Sequence, residues 1–137
     1  MNIAFFLLPK AQVAYLQENY TIRQALEKMK SHGYTAIPVL NDEGKYIGTV
    51  SEGDFLWYLI DENGGIQKND MKSVENIYLQ SMLKEDKNPP VHITTSVEEL
   101  LVQATRQNFV PVVDDHDVFI GIITRKDIIK YFADREV

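Results

Sequence analysis

TIRQALEKMKSHGYTAIPVLNDEGKYIGTVSEGDFLWYL, residues 21–59, and SVEELLVQATRQNFVPVVDDHDVFIGIITRKDIIKYF, residues 96–132, follow one order of residue types. Self-similarity of this kind marks a repeated structural unit. Each copy starts on a hydroxyl residue, Thr21 or Ser96, with Gln24 or Glu99 three positions on. That pattern is a capping box, in which two side chains satisfy free amides at a helix start. Ile22, Ala25, Leu26 and Met29 then recur at helical spacing, as do Val97, Leu100, Leu101 and Ala104. Each helix runs into Gly33 or Asn108, residue types that tolerate the left-handed conformation that closes a helix.

Short apolar runs holding a proline follow, AIPVL at 36–40 and FVPVV at 109–113. Proline lacks the amide donor that a central ladder needs, so these read as strand starts or edges. NDEG (41–44) and DDHD (114–117) are hairpin turns, and KYIGTV (45–50) and VFIGII (118–123) are the return strands. FLWYLI (55–60) and IIKYFA (128–133) read as closing helices, and a short strand near Val13–Leu16 or Val91–Ile93 precedes each copy. Each half is therefore βαββα, and the chain is an α/β (α+β) fold of two repeats.

Pro38 stands seventeen residues after Thr21, whereas Pro111 stands fifteen after Ser96, so the second copy is two residues shorter. Side chains alternate faces along a strand, and an even deletion keeps the inward set inward. This favours divergence from one ancestral unit. A single unit is too small to bury both faces of its sheet, so the halves are expected to pack together. The predicted boundaries are 1–65 for the first repeat with its N-terminal segment, 66–90 for a connection with a short helix, and 91–137 for the second repeat. Within these, DENGGIQKN (61–69) reads as a loop and 74–83 as a short amphipathic segment.

Composition narrows the function. The chain has 137 residues, 45% of them apolar, and no cysteine. That length suits one compact domain or two small units. Disulfides, thiol nucleophiles and cysteine-ligated zinc are excluded. The net charge is −6 and the pI about 5.0, which argues against nucleic acid as a partner. IAFFLLP (3–9) has no basic residue before it and is too short for a signal-peptide core or a membrane span. It is expected to dock into the core, and the protein is placed in the cytoplasm, with no membrane.

GTVSEGD (48–54) and GIITRKD (121–127) end the return strands alike. Ser51-x-x-Asp54 and Thr124-x-x-Asp127 fit helix caps with an acid in the first turn, worth about 1 kcal/mol and needing no ligand. Free amides at such a start also suit an anion. Arg125 and Lys126 oppose the helix dipole there, which makes an anion the expected neighbour. His32, His92 and His116 share no metal-ligand spacing, so no metal is expected. No nucleophile with an orienting base appears, so the chain does not read as an enzyme. Trp57, Tyr58, Tyr131 and Phe132 are read as core or assembly-face residues.

The doubled order of helix, h-P-V strand, turn and G-x-x-[S/T]-x-x-D resembles a tandem of CBS domains, also called a Bateman module, over nearly the whole chain. The resemblance implies two βαββα repeats related by a pseudo-twofold axis, a regulatory role and a homodimer. It implies an adenosine-bearing ligand in clefts between repeats: AMP, ADP, ATP, S-adenosylmethionine or cyclic di-AMP. LLPKAQVAYL (7–16), GYTAIPVL (33–40) and FIGIITRKD (119–127) are similar to small stand-alone bacterial CBS pairs. Those include cyclic di-AMP binders that control partner enzymes. Asp54 and Asp127 are both present here, although such relatives often lack that acid, which keeps mononucleotides in play. Carried over, Tyr34, Thr35, Ala36 and Ile37 would wall the base, and Thr124, Arg125, Lys126 and Asp127 would hold phosphate and ribose. A second, weaker pocket would use Ser51, Glu52, Gly53 and Asp54 with Phe109 and Val110. It lacks the two wall residues lost in the deletion and has Glu52 in place of Arg125. The nucleotide is then a regulatory ligand, and no cofactor is implied. The alternative is a ligand-free structural or dimerisation module.

Overall fold

The computed structural model describes residues 1–62, 75–84 and 87–135. The strands are β1 (Leu8–Pro9), β2 (Leu16–Gln17), β3 (Ala36–Leu40), β4 (Tyr46–Ser51), β5 (Val91–His92), β6 (Phe109–Val113) and β7 (Phe119–Thr124). The helices are α1 (Ile22–His32), α2 (Glu52–Trp57), α3 (Val97–Ala104) and α4 (Arg125–Arg135). By contacts the chain divides into a first-repeat unit, Ala14–Glu43 with Ile47–Lys87, and a second-repeat unit, Met1–Val13 with Gly44–Tyr46 and Asn88–Val137. The two βαββα patterns of the sequence are thus both realised.

In the first-repeat unit the sheet order is β2-β3-β4. Thr21 caps α1 through a full capping box with Gln24, and Gly33 closes it at φ 69°. Ile22, Ala25 and Met29 turn inward onto Leu16, Ile37, Val39, Val50 and Phe55. β3 is central, a place that ordinarily excludes proline, yet β2 pairs only Leu16 with Val39 and Gln17 with Leu40. Pro38 lies just ahead of that register, where β3 is still an edge and its missing N–H has no strand to meet. α2 continues as a π-helical turn over Tyr58–Glu62, so helix persists through 61 and 62, where a loop was expected. The rest of that expected loop, 63–69, lies outside the described residues. Part of the predicted amphipathic segment, 75–83, is described, and its Leu79 and Met82 complete this core.

In the second-repeat unit the order is β1-β7-β6-β5. Pro111 stands opposite Ile122 of β7, while β5 meets β6 only from Val112 onward, so the β5 side of Pro111 has no ladder partner. The N-terminal segment enters the core as expected: Asn2 caps a 3-10 turn over Ile3–Phe6, and Ile3 and Phe6 are buried. The sequence groups this segment with the first repeat; the pairing places it on the sheet of the second. β1 runs antiparallel to β7, with Leu8 opposite Ile122 and Pro9 opposite Gly121. A side chain at 121 would collide with the Leu8 carbonyl, so this approach requires glycine. Tyr46 stacks on Phe119 at 6.4 Å, and Phe119 N–H donates to the Gly44 carbonyl at 2.9 Å.

Two expectations about the second repeat are corrected. Asn108 does not close its helix in a left-handed turn. α3 ends at a right-handed Thr105, and Asp117, at φ 63° in the DDHD turn, is the one left-handed non-glycine among the described residues. The shortening also falls elsewhere than expected. α3 has 8 residues against 11 in α1, while β3 and β6 begin equally far before their prolines. The missing residues therefore come from the helix end, and the wall keeps its length. Gln107 and Asn108 stand where Tyr34 and Thr35 stand in the first repeat.

Candidate functional site

In both units a return strand runs straight into a helix, and that corner is tied to the wall of its own repeat. Glu52 N–H donates to the Thr35 carbonyl at 3.0 Å, and Arg125 N–H to the Asn108 carbonyl at 2.9 Å. The side chains around these equivalent bonds differ.

At the first-repeat corner, Ser51 caps α2. Asp54 N–H donates to Ser51 Oγ at 3.3 Å, and Ser51 N–H donates to Asp54 Oδ2 at 2.8 Å. The other carboxylate oxygen accepts from Lys87 Nζ, so both oxygens of Asp54 are engaged. A cavity of about 570 Å³ lies beside this corner, lined by Leu26, Met29, Lys30, Gly33, Tyr34 and Glu52. Burial by itself would raise the Asp54 carboxyl. The hydrogen bonds from Lys87 and from the Ser51 backbone and side chain outweigh it and hold the group below its ordinary 3.8. A carboxyl lowered by folding stabilises the native state above its unfolded value, and that contribution fades as pH falls through the folded value. The stability gap between the parent protein and Asp54→Asn should hold from neutrality to about pH 4 and shrink below it. A gap independent of pH in thermal melts from pH 6 to 3 would contradict this.

At the second-repeat corner, Asp127 N–H donates to Thr124 Oγ1 at 3.1 Å, and the Asp127 carboxylate accepts no hydrogen bond among the described residues. Arg125 Nε donates to the Ala104 carbonyl at 2.8 Å, and its Nη1 to Asn108 Oδ1 at 3.0 Å. The guanidinium therefore sits on the carbonyl end of α3, where the helix dipole favours a cation. This corrects the argument that a base at residue 125 by itself calls for an anion. Lys126 is exposed, with no partner among the described residues, and keeps that argument alive. Asn108, Thr124, Arg125, Lys126 and Ile129 line a cavity of about 430 Å³. Asp127 faces a different cavity, of about 320 Å³, with Phe5, Phe6, Leu7, Leu8, Lys130, Tyr131 and Asp134.

The other named residues divide by burial. Tyr34 and Ala36 are half-buried and Thr35 is exposed, whereas Ile37 and Val110 are fully buried in the cores of their own units. Phe109 is half-buried at the start of β6, and Gly53 is exposed in α2. Gln107, at the place of Tyr34, is buried, with long Nε2 contacts to the Pro89 and Phe109 carbonyls at 3.4 and 3.5 Å. The second wall thus presents a core amide where the first presents a half-exposed ring.

Sequence reasoning missed Lys87 and the Asn108 side chain. Lys87 lies in a polar connection with no local periodicity. Aligning the repeats on their prolines would have placed Asn108 at the wall. Donor atoms of Asp114, Asp115 and His116 lie within 4.8 Å of one another. Asp114 Oδ1 accepts from the His116 and Val118 amides at 2.8 and 3.0 Å, which makes it a turn device. Those backbone bonds also hold its carboxyl below the ordinary value. Trp57 and Phe132 are exposed, whereas Tyr131 packs against the core of the second unit. Among the described residues no helix is long and apolar enough to cross a membrane.

The chain is 26% identical over 129 residues to the cyclic di-AMP receptor B of Bacillus subtilis strain 168, covering 94% of this chain and 84% of that one. A crystal structure of CbpB in complex with c-di-AMP matches with a TM-score of 0.85 at 26% identity, covering 98% of this chain and 85% of the other. A homoserine O-acetyltransferase of Methanococcus vannielii is 29% identical over 115 residues, but the chain spans only 21% of that longer protein. The family model of the CBS domain matches residues 8–61 and again residues 82–134. With both repeats matched, this chain belongs to the CBS domain family as a tandem of two such domains.

Proposed function

We propose that the chain is a regulatory module that binds an adenine nucleotide, cyclic di-AMP ahead of AMP, ADP or ATP, and thereby modulates a partner protein. The observation that carries this is the match to a cyclic di-AMP receptor along most of both chains. Tyr34, Thr35, Ala36 and Ile37 are the proposed base contacts, with backbone groups in place of the buried Ile37 side chain. Thr124, Arg125, Lys126 and Asp127 are the proposed phosphate and ribose contacts. Lys126 and the Asp127 carboxylate, which have no side-chain partner among the described residues, support that choice. Ser51 and Asp54 with Phe109 and Val110 form the weaker set, because Asp54 is already held by Ser51 and Lys87 and Glu52 repels phosphate. Occupancy shifts a conformational equilibrium only by the ligand's differential affinity for the two states. We place this sensor in the cytoplasm as a homodimer acting on a partner enzyme, itself regulatory and not catalytic.

The test is titration of the purified protein with AMP, ADP, ATP, cyclic di-AMP and S-adenosylmethionine, read by calorimetry and thermal melting. A ligand at about 100 times its dissociation constant adds about 2.7 kcal/mol to native stability. Arg125→Ala should weaken a phosphate-bearing ligand by about 1.5–3 kcal/mol, the worth of a charged hydrogen bond. The free variant is melted alongside it, since Arg125 also holds the end of α3. Absence of heat and of any melting shift with all five compounds would end the proposal. A ligand-free assembly module is the second reading, favoured by the exposed Trp57 and Phe132. It predicts freshly purified protein without nucleotide absorbance and no response in the titration.

A further inference from the structure

We infer that Asn108 is a positioning residue for phosphate: it holds the Arg125 guanidinium at the second-repeat cavity and so sets the affinity for phosphate-bearing ligands. This rests on the nucleotide reading above. The backbone bond from the corner amide to the wall carbonyl occurs in both repeats, at Thr35 and at Asn108, so it belongs to the fold. The side-chain clamp belongs to the second repeat alone, where Arg125 Nη1 meets Asn108 Oδ1 at 3.0 Å and Nε meets the Ala104 carbonyl at 2.8 Å. The equivalent residues in the first repeat, Thr35 and Glu52, cannot form it, because glutamate has no donor.

The clamp leaves reach for a ligand. A guanidinium carries five N–H donors in a rigid fork. These two side-chain bonds engage Nε and one Nη1 hydrogen, so three donors remain, and Asn108, Arg125 and Lys126 line the same cavity. A side chain fixed in advance loses little freedom when an anion arrives, which is how preorganisation raises affinity. Asn108 suits this task because its amide oxygen is neutral. It orients the guanidinium without cancelling its charge. A carboxylate at the same place would orient it equally well and neutralise it.

That contrast is the experiment. Asn108→Asp and Asn108→Ala are made in the full chain, melted, and titrated with cyclic di-AMP and AMP by calorimetry at several salt concentrations. Asn108→Asp should melt close to the parent protein, because the acceptor for Arg125 is kept. It should bind cyclic di-AMP at least about tenfold more weakly, with a shallower dependence on salt. Asn108→Ala should show a smaller loss in the same direction. Parent-like affinity in both variants overturns the role of Asn108 and leaves the nucleotide reading standing. So does a loss of affinity with an unchanged salt dependence, which marks a structural role only. A parent protein that binds neither compound overturns the nucleotide reading and this inference with it.

Discussion

Gly121→Ala is expected to destabilise the protein by about 3 kcal/mol or more, enough to remove a large part of the stability of a small domain. Gly121 stands opposite Pro9 where β1 crosses β7, at φ 155°. An added methyl would collide with the Leu8 carbonyl and approach Leu7 Cδ1 to 2.9 Å. The obstacle is backbone, which cannot turn aside as a side chain can. Overpacking costs about 1–3 kcal/mol, and a strained backbone conformation adds about 1–3 kcal/mol. Gly48 is the internal control. It holds the equivalent place in the first repeat at φ 158°, yet a methyl there meets only Leu83 Cδ2 at 3.4 Å, an ordinary contact. Gly48→Ala should therefore carry the conformational cost alone. Urea denaturation of both variants decides the matter, and equal costs would show that β1 does not press on β7.

Phe6→Ala should cost about 3–5 kcal/mol, the usual loss for a buried ring. Phe6 is 6% exposed, and its ring meets Phe5 and Tyr131 edge-on at 5.5 and 5.2 Å. It fills the same core as Ile3, Leu100, Val110 and Ile123. Its neighbour Phe5 is 65% exposed, and Phe5→Ala should cost about 1 kcal/mol or less. If both variants melted together, the N-terminal segment would be a surface attachment and not part of the second-repeat core.

The sequence made the local features legible because each has a short-range cause. The cap at Thr21 with Gln24, the left-handed Gly33, the turns at NDEG and DDHD and the inward faces of both helices follow from spacing within one turn or one pleat. The features it hid depend on contacts distant along the chain. The apolar residues Ile3 and Phe6 announce burial but not which sheet receives them. Asp54 reads as a cap, and nothing nearby points to Lys87 as its partner. Arg125 reads as a cation facing the wrong end of its own helix, and only the fold reveals the carbonyl end of α3 beside it. Asn108 reads by residue type as a left-handed helix end, whereas the shortened α3 already ends at Thr105. Of the candidate site, both corners and their walls were visible, whereas the intramolecular bonds that engage Asp54 and Arg125 were not.

The pairing of Leu8 with Ile122 carries a consequence for biosynthesis. The partners are 122 − 8 = 114 residues apart, so β1 leaves the ribosome long before the strand it must join. At about 5–20 residues per second the delay is roughly 6–23 s. Throughout that interval the nascent polypeptide displays IAFFLL without its eventual cover, while the stretch that forms the first-repeat unit, ending at Lys87, is itself translated before Ile122 is reached. Sticky leading residues that must wait for trailing ones are natural clients of a holdase, and refolding after dilution should be sensitive to protein concentration.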